Sequence, residues 1–360
     1  MATEETNQCR EKYPMKGGDG SYSYAKNSTY QKGVSDAAKG LVTKAIEDKL
    51  DIEILLSPKT FCIVDMGCSV GPNTFSVVKN ILEAVESRYR THQIPEFQVF
   101  FNDHTSNDFN HLFKSLPLDR KYYALGAPGS FYGRVFPNNS IHFVHSSYAV
   151  QWLSSVPKEI LNKNSSAWNK GRIHYSNSAE EVVRAYEAQF AEDIQWFLHC
   201  RAQEIVCGGL MVLIIPGRPN ETPHSQTLPS LIFELLGTCL MDMANKGIVS
   251  GEKVDCFNIP IYYMSPQELE IAVERNGCFS IERVEIIPQE QSHANLPEKA
   301  RQLASHMRAA TEGLIKEQFG EEILDELFDS YTQKIQEKFP TFQSGKGINF
   351  FVLLQRKATK

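Results

Sequence analysis

One stretch constrains the fold more than any other: Phe61-Cys-Ile-Val-Asp-Met-Gly-Cys-Ser-Val-Gly-Pro-Asn73. An apolar run stops at an acidic residue, two glycines follow, and Pro72 opens a helical pattern over 73–90. A run of strand length that turns at once into an amphipathic helix begins a βα unit. Proline suits the first helical turn, where its missing N–H would be unpaired anyway. The alternation recurs. Val34, Ala37, Ala38, Leu41, Ala45 and Ile46 predict a helix over 28–50. Strands are predicted at 97–101 and 140–145, and a long helix at 180–204. Gly208-Gly209 is read as opening a strand over 210–215. Such alternation implies a mostly parallel sheet covered on both faces. After Pro216 the pattern changes: helix over 225–250, a Pro- and Tyr-rich loop at 255–266, helix at 266–276, strands at 279–287 and 348–355, and helix through 297–339 between them. The reading is a sheet domain of 15–215 and 279–360, a helical cap of 216–278 and 288–347, and a disordered N-terminus at 1–14. The cap falls near the carboxyl ends of the strands, where open α/β sheets bind ligands.

Composition narrows the function. Apolar residues at 42% and charged residues at 22% permit a sizeable core and exclude a mainly disordered chain. A net charge of −6 argues against a nucleic-acid scaffold, which needs a basic field. No run reaches the ~18–20 apolar residues that span a bilayer, and the polar N-terminus lacks the apolar core of a signal peptide, so the expected location is cytoplasmic. The eight cysteines form no CxxC pair, which suggests reduced, buried thiols. His142 and His145 stand three apart on a strand and face opposite sides, so they are no metal pair.

The chemistry gathers around the glycine turn. Gly67 and Gly71 let a backbone approach a cofactor closely, and Asp65 is placed to orient a polar group. No Gly-Lys-Ser/Thr follows, so the turn is not a phosphate cradle. The third glycine of a dinucleotide fingerprint is missing, and Val70 and Pro72 would crowd a pyrophosphate. Asp103, at the end of the next strand, can accept both hydroxyls of a ribose, whereas Asp108 reads as a helix cap before Phe109. By spacing alone an ordinary βα turn and a cap account for the same residues. An acidic residue without a phosphate loop suits an adenosine without a pyrophosphate, and S-adenosylmethionine has that shape. Aromatic residues crowd 122–152. Phe131, Tyr132, Tyr148 and Trp152 can attract a sulfonium, while Phe136 and Phe143 read as core.

Several strings together resemble the plant SABATH methyltransferases, which include the salicylic, benzoic and jasmonic acid carboxyl methyltransferases and the caffeine-pathway enzymes. They are Met15-Lys-Gly-Gly-Asp-Gly-Ser-Tyr-Ser-Tyr-Ala-Lys-Asn-Ser28 with Tyr30-Gln31, Asp65 to Phe75, Phe101-Asn-Asp-His104, Asn107-Asp-Phe-Asn110, Pro128-Gly-Ser-Phe-Tyr-Gly-Arg134, Ser146-Ser-Tyr148 with Trp152, Arg201-Ala-Gln-Glu204, Asp255 to Pro260, and His306-Met-Arg308. The stretches Tyr30-Gln-Lys-Gly33, Lys170 to Tyr175 and Gly208 to Val212 look most like the iridoid-acid enzymes of that family.

The resemblance implies a Rossmann-like class I methyltransferase, a mixed α/β sheet with an inserted helical cap. It implies methyl transfer from S-adenosylmethionine to the carboxylate of a small plant metabolite, an iridoid or another small acid, giving a methyl ester. The alternatives are N-methylation of a xanthine-like heterocycle and a non-catalytic small-acid binding protein. By resemblance, the cofactor would meet Tyr24, Ser28, Asp65, Gly67, Cys68, Asn73, Asp103, His104, Ser130 and Phe131, with His104 standing where relatives usually carry Leu. Gln31 and Trp152 would hold the substrate carboxylate without a general base. Tyr148, Gln151, Ile232, Phe233, Tyr262, Met307 and Ala310 would line the acyl pocket, Gln151 replacing the His or Met more common in relatives. Asn169, Asp255, Phe257 and Asn258 match residues linked to a magnesium ion in some members, and a hydrogen-bonded loop brace fits them equally. A homodimer is expected, with no nucleic-acid or membrane partner.

Overall fold

Apolar runs become strands and amphipathic stretches become helices across the residues that the computed structural model describes: 14–51, 59–89, 94–288, 295–342 and 345–358. In chain order the elements are α1 (Tyr24–Asn27), α2 (Thr29–Lys49), β1 (Thr60–Met66), α3 (Pro72–Arg88), β2 (Glu96–Asp103), α4 (Phe109–Lys114), β3 (Tyr123–Pro128), β4 (Ile141–Ser147), α5 (Glu180–Glu204), β5 (Ile205–Gly217), α6 (Leu228–Asn245), α7 (Gly251–Asp255), α8 (Pro266–Asn276), β6 (Phe279–Ile287), α9 (Leu296–Phe319), α10 (Leu324–Phe342) and β7 (Ile348–Arg356). Among the described residues, seven strands form one sheet in the order β3-β2-β1-β4-β5-β7-β6. Only β7 runs antiparallel to its neighbours. The chain winds outward from β1 to β3 and then resumes at β4 on the other side of β1, so a crevice opens at the carboxyl ends of β1 and β4.

Three cores hold this frame. Val64, Val144 and Met211 meet Ile194, Phe197 and Val273 of α5 and α8 on one face of the sheet. Phe61, Ile63, Val99 and Val212 meet Val42, Ile46, Val78 and Ile81 of α2 and α3 on the other. The cap has its own core, with Phe233, Leu236 and Leu240 of α6, Met307 and Ile315 of α9, and Leu327 and Tyr331 of α10. Each such buried side chain contributes about 1.5–3 kcal/mol.

The structure departs from the sequence reading at a few places. Strand β3 was not anticipated; it pairs with β2 alone, its Tyr123 is exposed, and it lacks a β-branched run. Strand β5 begins at Ile205 and runs through the glycine pair. Gly208 has φ 77° and the register with β4 shifts between Ile141 and Phe143, so the pair makes a bulge inside the strand rather than its start. The helical block 297–339 is two helices, broken at Gly320 with φ 101°. Leu269, Ala272 and Val273 of α8 join the sheet core rather than the cap core. Seven cysteines are free among the described residues, but Cys207 and Cys256 are exposed rather than buried. The N-terminal segment expected to be disordered lies outside the described residues up to position 13.

Candidate active site

The half expected to face the cofactor is built from backbone turns locked to carboxylates. After β1 the chain turns at Gly67 with φ 75°, where a Cβ would stand 2.4 Å from that of Ala149. It turns again at Gly71, φ 111°, where a Cβ would stand 2.9 Å from Ala25 Cα. No side chain fits either position. Between them Ser69 holds φ 51°, a left-handed conformation that costs energy and marks a constrained loop. Asp103 fixes that loop: Ser69 N–H donates to its Oδ2 at 2.7 Å and His104 N–H to its Oδ1 at 2.8 Å. Asn107 Nδ2 adds a bond to Ser69 O at 3.1 Å. A carboxylate has further lone pairs, so Asp103 can still receive hydroxyl donors. Burial raises its pKa, while the N–H bonds from Ser69 and His104 and the His104 charge oppose that rise. Asp65 is engaged within the protein: it accepts from Thr74 Oγ1 and lies 2.7 Å from His145 Nδ1, its register partner on β4.

The rest of this half packs inward. Asn73 Nδ2 donates to Ser28 O and Oγ at 3.2 and 3.0 Å, tying α3 to the N-terminal strap. Burial first, then the Asp103 and Asp65 carboxylates, hold the Tyr24 phenol and the Cys68 thiol above their ordinary values, so both stay protonated. Phe131 is buried against Tyr132 and Phe197, with ring centroids 4.8 and 5.9 Å away; Ser130 beside it is exposed. A buried ion pair anchors this segment. Arg201 Nε meets Glu204 Oε2 at 2.7 Å, and its Nη1 and Nη2 donate to the carbonyls of Phe131 and Gly133. Glu204 Oε1 accepts from the N–H groups of Val135 and Phe136.

The half expected to face the acid is made of side chains. Gln31 is 6% exposed, with Nε2 within 3.3 Å of both ring nitrogens of His306 and with Oε1 buried and unpartnered. Trp152 pairs its backbone with Ile261 and packs on the cap core with Ile232, beside the buried Phe233 and Met307. Gln151 Nε2 donates to Tyr148 O at 2.8 Å and leaves Oε1 buried and unpartnered. Tyr148 has φ 55°, donates to Asn349 Oδ1, and meets Tyr30 edge-on at 6.1 Å. Burial, then Tyr30, holds its phenol well above its ordinary value. Ala310 lies half-buried on α9.

Tyr262 is placed elsewhere. It stacks on Phe190 and Tyr175, its hydroxyl donates to Glu268 Oε1 at 2.5 Å, and Glu268 carries Arg218 at 2.9 Å. Its neighbour Tyr263 packs on the cap core, 6.4 Å from the Phe233 ring and 6.3 Å from His174. Asn169 and Asn258 meet and Asp255 reaches the Gly171 backbone, and one oxygen of each already serves a protein donor. Asn258 Oδ1 accepts from Asn169 Nδ2 at 2.6 Å, Asn169 Oδ1 from Ser178 Oγ at 2.7 Å, and Asp255 Oδ1 from Gly171 N at 2.9 Å. Phe257 packs edge-on against Phe319.

Sequence reasoning gave no role to Asn107, His145, Tyr263 or His306. The strand register that pairs His145 with Asp65 was a usable signal, since both close their strands. The His306 contact bridges 275 positions and has no local trace.

Comparison with known proteins bears on this geometry. The family profile described as SAM dependent carboxyl methyltransferase matches residues 10–357. Loganic acid O-methyltransferase of Catharanthus roseus is 52% identical, covering 96% of this chain and 95% of its own. Farnesoic acid carboxyl-O-methyltransferase of Arabidopsis thaliana is 40% identical, over 96% and 99%. A 3,7-dimethylxanthine N-methyltransferase of Camellia sinensis var. assamica is 39% identical, over 88% and 89%. Among solved structures, a loganic acid methyltransferase with SAH superposes with a TM-score of 0.92 at 52% identity, covering 96% of this chain and 99% of that one.

Proposed function

The chain belongs to the S-adenosylmethionine-dependent carboxyl methyltransferases, and from that premise we propose that it esterifies a small plant carboxylic acid, with an iridoid such as loganic acid as first candidate. The observation that carries this reading is the neutral character of the acid-facing half. Gln31, Gln151 and Trp152 do not ionise, and desolvation holds His306 below its ordinary value. A carboxylic acid is already ionised near pH 7, its reference pKa being about 4, so transfer to it needs no base. Neutral N–H donors grip the anion while leaving its oxygen more nucleophilic than a Lys or Arg partner would.

The cofactor-facing half fits S-adenosylmethionine. Gly67 and Gly71 let the loop pack directly on Ala149 and Ala25, and Ser69 Oγ, Asn102 Oδ1 and Asn107 Oδ1 are buried and unpartnered around the Asp103 carboxylate. Asp103 would hold the ribose hydroxyls, with Tyr24, Ser28, Cys68, Asn73, His104, Ser130 and Phe131 around it, while Asp65 braces the loop. When bound, the cofactor supplies a sulfonium methyl group and leaves as a neutral thioether. Gln31 and Trp152 hold one carboxylate oxygen in line for transfer; alignment of this kind can supply up to ~7–11 kcal/mol. Ile232, Phe233 and Met307 exclude water, and a dry site disfavours the separated charges more than the transition state in which they cancel.

Asn258 Oδ1, Asn169 Oδ1 and Asp255 Oδ1 each accept from a protein donor, which supports a hydrogen-bonded brace rather than a magnesium site. We read them as a brace for the loop before α8, and no step passes through a metal. Among the described residues no helix is long and apolar enough to cross a membrane. A homodimer rests on the sequence resemblance, and sedimentation of the purified chain tests it.

The experiment is incubation with methyl-labelled S-adenosylmethionine and a panel of iridoid, phenolic, terpenoid and fatty acids, plus a xanthine. Label released as methanol by mild alkali is the expected result. Alkali-stable label on the xanthine would establish N-methylation instead, and no labelled product from any compound would leave a binding protein.

A further inference from the structure

The contact between Gln31 and His306 joins the N-terminal helix α2 to the cap helix α9 beside the acid site. His306 Nδ1 lies 3.3 Å from the carbonyl oxygen of Asn27, at the end of α1. A carbonyl only accepts, so Nδ1 carries the proton and Nε2 is a bare acceptor. Gln31 must then turn its NH2 end toward the imidazole. Rotating the amide by half a turn would set the Oε1 lone pairs against those of Nε2 and lose the bond. The buried, unpartnered Oε1 is the other side of the same constraint, since it has been turned away from the one group that fixes the amide. Desolvation keeps His306 neutral, the state in which Nε2 can accept.

We propose that His306 is a positioning residue: as the Nδ1–H tautomer it accepts one Gln31 N–H at Nε2 and so keeps the second N–H available for the substrate carboxylate. This rests on the reading of Gln31 as a carboxylate donor. It makes the cap helix α9 responsible for the orientation of a group carried by α2, so that acid recognition depends on the two being docked together.

The test compares His306→Phe, His306→Gln and His306→Asn, first with loganic acid as probe and with the best acid of the panel if that gives no ester. Phenylalanine keeps the ring without an acceptor. Glutamine can place its oxygen near the Nε2 position, and asparagine places it near Nδ1 instead. The expected result for H306F is a KM for the acid raised about tenfold, with S-adenosylhomocysteine affinity within about twofold of the parent. H306Q should return most of the loss and H306N should not. In a Gln31→Ala background, H306F should add nothing further. A full effect of H306F in that background would show His306 acting on the substrate itself and would overturn the proposal. Should H306F fail to fold, equal KM values for H306Q and H306N would overturn it as well. A Q31A enzyme with unchanged KM would fail the Gln31 reading on which the proposal rests, whereas a raised KM in Q31A with none in H306F would fail the positioning role alone.

Discussion

The two halves of the site differ in how their polar groups are held. At the sheet edge, turns are pinned by backbone N–H groups on carboxylates: Ser69 and His104 on Asp103, Val135 and Phe136 on Glu204. On the cap side, amides are held at one end only. Gln31 is fixed by His306 and Gln151 by Tyr148 O, and each leaves a buried oxygen over. A charged acceptor that fixes a loop is hard to alter, since losing it leaves several N–H groups unpaired. A neutral amide with a spare oxygen can change partner at small cost. Under the proposed function, the side around Asp103 suits one ligand and the cap side suits a ligand class.

That contrast predicts unequal responses. The largest effect is expected from Asp103→Ala, which removes the proposed ribose acceptor and frees the Ser69 and His104 N–H groups. At ~1.5–3 kcal/mol for each charge-assisted bond, S-adenosylhomocysteine affinity should fall about a hundredfold by calorimetry. Unchanged affinity would remove the cofactor from this half. Next, Gln31→Ala and Trp152→Phe should each cost ~1.5–3 kcal/mol, or ~10–150-fold in kcat/KM with the acid. Their S-adenosylhomocysteine affinity should stay nearly intact, and equal damage to cofactor binding would put the pair on the wrong side of the site.

Smaller effects separate bracing from binding. Tyr262→Phe removes the hydroxyl held by Glu268 and should lower stability by about 1–2 kcal/mol in urea titration, with the acid KM unchanged. A raised KM would return Tyr262 to the acyl pocket. Treatment with a chelator should leave turnover unchanged, because the Asn169 and Asn258 side-chain oxygens already accept from protein donors. Loss of turnover restored by magnesium would contradict the brace.

Much of the sheet domain was legible because its signals are local. Helix α5 was read with both boundaries correct, since its apolar periodicity ends where β5 begins. The Asp108 cap was also visible: its side chain accepts from His111 N–H at 2.9 Å. Strand β3 was not, because Tyr123–Pro128 carries a Gly and a Pro and no β-branched residue, whereas the other edge strand, β6, is rich in Ile and Val. In the site, the glycine turn and Asp103 are marked by residue types whose conformational or charge requirements are specific. The side chosen by adjacent tyrosines is not so marked. Tyr262 and Tyr263 are chemically alike, and which one faces the cap core depends on the Trp152–Ile261 bridge just before them. His306 escaped for the same reason, its partner being supplied by docking rather than by neighbours in sequence.

The claim that the acid side works by positioning, without a base, is tested most directly by the single-turnover rate of methyl transfer against pH. Burial, then the nearby His224, pushes His174 down to about 3, and desolvation lowers His306, so both stay neutral above their ordinary pKa. Burial raises Tyr148 and Tyr263, so both stay protonated. With the acid ionised throughout, the rate should be flat from about pH 6.5 to 9. A rate that falls with a slope of one below about pH 8 would require a titrating general base and would contradict the mechanism.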